Sequence, residues 1–180
     1  MPIKLTYKLT NAKLKKAVQR ANEILATEDL PRVINTRATP FDESEPSTLP
    51  ASAVADYLKN SQLSLTVCHY TNPKSSIGGM FTTTTPKRIH ANRKAVPIRH
   101  YCNLARMLVH EAIHALSYNI REASFSHCSG HSPSTHSGTA PYWIQNALKP
   151  LCPGVRDDDL IEVELLDNAA SLRGRNIRCG

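Results

Sequence analysis

A chain of 180 residues, 41% apolar and 21% charged, is long enough for one domain with a complete core. It carries 22 Lys and Arg against 15 Asp and Glu, a net charge of +7 that points away from basic partners. No apolar run approaches the roughly 20 residues of a membrane span, and the Met1–Lys4 start lacks the basic-then-apolar pattern of a secretory signal. Five cysteines with no C-x-x-C pair argue for reduced thiols in a cytosolic setting, with Cys68 and Cys102 as small core residues.

In chain order, residues 11–26 form the first expected helix. Leu14, Ala17, Val18, Ala21 and Leu25 make one apolar stripe, and Thr10 or Asn11 supplies a cap. Arg32–Thr36 reads as a short strand, the proline-rich stretch 37–50 as a loop and residues 51–60 as a second helix. Leu63, Leu65 and Val67 alternate, which predicts a half-buried strand over Leu63–Tyr70. Residues 71–79 are turn-rich, and Met80–Thr85 and Lys87–Asn92 follow as strands separated by Pro86. Residues 103–119 are apolar on nearly every side, so this helix is buried. Ser137-Gly138-Thr139 caps a further helix carrying Tyr142, Trp143, Ile144 and Leu148. A last helix is expected over Asp158–Ser171, then a frayed basic tail with Arg173, Arg175 and Arg178. A single domain over 1–180 is expected, with its core at about 10–150 and the final helix and tail at 151–180.

The buried helix holds His110, Glu111 and His114, an H-E-x-x-H motif. Histidines at i and i+4 share one helix face, so both imidazoles reach one zinc ion at about 2.0–2.1 Å. Zinc lowers the pKa of a bound water toward about 7, and Glu111 is placed to take its proton and pass it to a leaving amine. The same ion would offset the cost of burying three polar groups in an apolar helix. A catalytic site needs a third protein ligand and one open position. His127, Cys128, His131 and His136 follow the helix, and His136 is the first choice because it directly precedes the cap of the Tyr142-Trp143 helix. His131 and His127 come next, and Glu162 or Glu164 would serve in a glutamate-ligand site. The metzincin extension is excluded by Ser117 and Ile120, and no G-x-S-x-G nucleophile elbow occurs.

Taken together, the basic first helix, the short strands, Ile89-His90-Ala91-Asn92 and then Leu108–Leu116 (LVHEAIHAL) resemble the SprT-like (Spartan-type) metallopeptidases. In that family an I-x-x-N strand precedes an H-E-x-x-H-A helix, and a third histidine opens a helix bearing an aromatic residue. The resemblance covers about residues 10–150. Trp143 lies seven residues after His136, longer than the family's usual spacing, and the cysteine-rich ribbon of several members is missing.

The resulting expectation is an α+β zincin-like domain, a small, mostly antiparallel sheet packed on the buried H-E-x-x-H helix. It would be a zinc endopeptidase acting on proteins, monomeric and without membrane contact. Substrate would add as a strand along the Met80–Thr85 edge. Residues 57–110 contain eight Lys or Arg and no acid, which suits nonspecific DNA or an acidic partner and a cytoplasmic, nuclear or nucleoid location. Two alternatives stand beside this: a secreted bacterial effector or toxin peptidase, and a non-enzymatic module with structural zinc on Cys128, His131, His136 and Cys152. Glu111 separates the last from an enzyme, because a closed four-ligand shell has no use for it.

Overall fold

The computed structural model describes residues 3–73, 77–126, 137–153, 155, 162–163 and 177–179. Strand β1 (Lys4–Thr6) buries Leu5 and leads into helix α1 (Ala12–Ala26). The Asn11 side chain accepts a hydrogen bond from the Leu14 amide at 2.9 Å, filling the N-cap role. The apolar stripe of α1 is buried and gains Ile24. The expected strand at Arg32–Thr36 is instead a helix, α2 (Asp29–Ile34). Pro31 sits in its first turn, where its missing N–H costs nothing, and Leu30 and Ile34 bury the i and i+4 positions. Helix α3 (Ala51–Asn60) and strand β2 (Ser64–Tyr70) lie where expected.

Strands β3 (Ile77–Phe81) and β4 (Arg88–Asn92) form a hairpin, with β3 starting three residues before the expected Met80. Helix α4 (Tyr101–Asn119) follows, and every residue from Cys102 to Ser117 is buried. Helix α5 (Ala140–Ala147) and a 3-10 turn at Lys149–Leu151 close the helical part. Glu162 and Val163, inside the expected last helix, are a two-residue strand, β5. The rest of that helix, with Glu164, lies outside the described residues, as do Arg173 and Arg175 of the expected tail.

The molecule is mixed α and β, with a five-stranded sheet in the order β1-β2-β4-β3-β5. The expectation of a mostly antiparallel sheet is wrong. β1–β2, β2–β4 and β3–β5 are parallel, and only β3–β4 is antiparallel. Three helices separate β1 from β2, ample chain for a parallel crossover, and strand alternation carries no information on direction. α1 and α4 pack together over one face, where Leu65, Val67, Phe81, Ile89 and Ala91 join the main core. Residues of opposite phase, Cys68, Tyr70, Met80 and His90, are also fully buried, as expected for inner strands covered on both faces.

Four of the five cysteines are not free thiols, and the fifth, Cys128, lies outside the described residues. Cys68 is bonded to Cys179 and Cys102 to Cys152, across 111 and 50 residues. Closing loops of these lengths costs the unfolded chain about 5 and about 4 kcal/mol in entropy, each taken alone. The tail is correspondingly tied down: the Arg178 amide donates to the His69 carbonyl at 2.9 Å and the His69 amide to the Arg178 carbonyl at 2.8 Å.

Candidate metal centre

The H-E-x-x-H residues lie midway along α4. Helical geometry brings the two histidines to one face, and their Nε2 atoms converge to 3.1 Å. Two nitrogens each about 2.1 Å from one tetrahedral ion stand about 3.4 Å apart, so the pair fits a single small cation. Both rings are held by neighbours. His114 Nδ1 is bonded to the Ser126 hydroxyl, which aims Nε2 away from it toward His110. The Phe81 ring of β3 lies parallel to His114 at 6.5 Å, and the Tyr142 ring of α5 meets His110 edge-on at 4.6 Å.

Exposure of His110, Glu111 and His114 is 0%, 0% and 1%. Burial pushes the Glu111 carboxyl well above the usual carboxylate range. The Phe81 backbone amide pulls the other way without reaching full hydrogen-bond geometry. Burial thus favours the protonated carboxyl, on the same helix as the two converging imidazoles. A cation on the histidines would draw that pKa back down.

Three contacts fix this geometry. Gly79 lets β3 approach α4, since a Cβ there would overlap the Met107 sulfur. Arg106 Nε donates to the Gln145 carbonyl at 2.9 Å and ties α5 to α4. Gly138 packs on Asp42, whose amide donates to the Gly138 carbonyl at 3.1 Å, so the entry to α5 is anchored.

Among the described residues, no third His, Cys, Asp or Glu joins the pair to make a set of three. His127, Cys128, His131 and His136 all lie outside the described residues, and so does the side chain of Glu162. The chain re-enters at Ser137, three positions before α5 begins. The four-ligand structural set loses Cys152, whose sulfur is bonded to Cys102. The Ser126 contact was not legible as a site feature; Tyr142, which the sequence offers as core or rim packing or as an oxyanion hydrogen-bond donor, packs its ring against His110.

The basic face is smaller than the charge count implies. Arg99 and Arg106 are 8% and 7% exposed, whereas Lys59, Lys87, Arg88, Arg93 and Lys94 are exposed. Lys74 lies outside the described residues. No helix among the described residues is long and apolar enough to cross a membrane.

Comparison with protein-family models, curated proteins and solved structures gives no match for this chain.

Proposed function

We propose that this chain is a zinc-dependent endopeptidase similar to the SprT-like enzymes, with His110 and His114 as ligands and Glu111 as general base and acid. The observation carrying this reading is the convergence of two Nε2 atoms, 3.1 Å apart, on a buried helix that also holds a buried carboxyl. His136 is the proposed third ligand. It immediately precedes the anchored segment leading to α5, whose Tyr142 touches His110.

When bound, zinc supplies a Lewis acid and an activated water at neutral pH. The chain's own residues do the rest. His110 and His114 would hold the ion, with Ser126 and Phe81 fixing the His114 ring. Glu111 accepts the proton of the attacking water and delivers it to the departing amine, so it ends the cycle as it began. The apolar surround of α4 keeps bulk water from competing.

Metal analysis with a protease assay tests this reading. The wild type should hold about one zinc per chain and cleave an unfolded protein, and the double change His110→Ala, His114→Ala should lose both. Full zinc retention in the double variant would sink the site assignment.

The two disulfides favour a secreted setting over a cytosolic one, because such bonds persist where thiols are oxidised. That supports the secreted effector or toxin reading of the same peptidase. The DNA-associated reading rests on the five exposed cations named above and calls for steeply salt-dependent, sequence-independent DNA binding.

A further inference from the structure

Helix α4 is buried from Cys102 to Ser117, yet its next residue, Tyr118, is 51% exposed. His110, His114 and Tyr118 follow one another at intervals of four, so they run along one side of the helix. The Tyr118 ring rests against Phe81, with centroids 6.0 Å apart and planes tilted by 56°. Phe81 in turn lies parallel to His114 at 6.5 Å. Three rings in contact thus lead from the candidate centre to the surface. Phe81 and His114 are 2% and 1% exposed, so Tyr118 is the end of the row that meets solvent. The setting is uncharged: neither the last turn of the helix, residues 115–119, nor residues 79–82 around Phe81 carry an acid or a base.

We propose that the Tyr118–Phe81 row is a substrate subsite, selecting polypeptides with an aromatic or large aliphatic side chain close to the scissile bond. The proposal rests on the peptidase reading above and names its substrate class. Four residues of helix place Tyr118 about 6 Å along α4 from His114. An extended peptide rises about 3.3 Å per residue, so the selected side chain lies within about two residues of the bond being cut. Covering the open half of Tyr118 releases water from apolar surface, and a substrate ring gains further from edge-to-face or offset contact. A charged side chain there would lose hydration and find no opposite charge on either segment. The contact is made by the ring of Tyr118, and its hydroxyl is dispensable.

The test uses the full-length, zinc-loaded protein and unfolded casein, with cut sites and their initial rates followed by mass spectrometry. In the wild type, Phe, Tyr, Trp, Leu, Ile and Met should be enriched within about two residues of the cut bonds. Tyr118→Ser should lower the rate ratio of apolar-flanked to polar-flanked sites about tenfold, as loss of an apolar subsite does, and Tyr118→Phe should keep the ratio. Tyr118→Lys should shift the enrichment toward Asp and Glu, a gain that mere damage to the fold does not produce. Binding gives a second readout. Casein affinity of a Glu111→Gln protein should fall by a similar factor when Tyr118→Ser is added. Unselective cleavage by the wild type, or a ratio and an affinity unmoved by Tyr118→Ser, would overturn the subsite and leave the peptidase reading intact. An equal fall in Tyr118→Phe would overturn it too, because the hydroxyl would then be the contact. No casein cleavage by the zinc-loaded wild type would bring down the peptidase reading and the subsite with it.

Discussion

His90 gives the fold a specific weakness to acid. It lies on β4, fully buried, with Nε2 and the Thr85 hydroxyl 3.0 Å apart and the Tyr70 ring edge-on beside it. Burial, helped by the charge of Arg88, lowers its pKa from the usual 6.5 to about 4. In the unfolded chain His90 binds a proton near pH 6.5, while in the folded chain it does so only near pH 4. Its contribution is therefore complete above pH 6.5 and is lost progressively as pH falls to about 4, below which it levels off. At about 1.4 kcal/mol per pKa unit, the shift is worth about 3 kcal/mol, a large share of a typical domain's stability. His69 is lowered for the same first reason and adds in the same sense, whereas the raised pKa of Glu111 works in the opposite one. The His90 part is isolated by difference. Urea unfolding of wild type and His90→Gln, with a chelator present, is followed from pH 7 to pH 4. The wild type should lose about 3 kcal/mol more than the variant over that span. Parallel profiles would refute the reasoning.

Two further outcomes are expected. The double change Cys102→Ala, Cys152→Ala should lower stability by about 2–4 kcal/mol in urea unfolding, mainly by relaxing the unfolded chain, while leaving the far-UV spectrum intact. His136→Ala should weaken zinc binding more than His131→Ala or His127→Ala, read by competition with a chromophoric chelator; if His131→Ala is the damaging change, the ligand is His131.

Elements whose identity depends on local periodicity were legible in the sequence. α1 and α3 repeat their apolar residues every three to four positions, α4 is apolar on nearly every side, and β2 alternates Leu65 with Val67. Arg32–Thr36 misled because Val33-Ile34 is a β-favouring pair. The helix there is decided by burial of Leu30 with Ile34, a tertiary effect. β1 is three residues long, too short for any period to register. Gly78-Gly79 read as a turn, yet the chain is extended there, and Gly79 is small because Met107 packs against it. Strand direction, the two long-range disulfides and the β5 pairing are all relations between distant segments, which no local pattern encodes. The centre divides the same way. His110, Glu111 and His114 could be read because one helix turn relates them. A third ligand would come from another part of the chain, where His136, His131, His127 and a downstream Glu162 or Glu164 are the candidates.

The most direct test of the central claim is peptidase turnover and zinc content in Glu111→Gln. Gln has nearly the shape of Glu, so packing around the fully buried position should survive. It still hydrogen-bonds a water but cannot accept a proton at neutral pH. Zinc should stay near one per chain while turnover falls by at least about 10²–10⁴-fold, the range general acid–base catalysis supplies. Turnover close to wild type in a zinc-replete Glu111→Gln protein would contradict the assignment of Glu111 as the catalytic base.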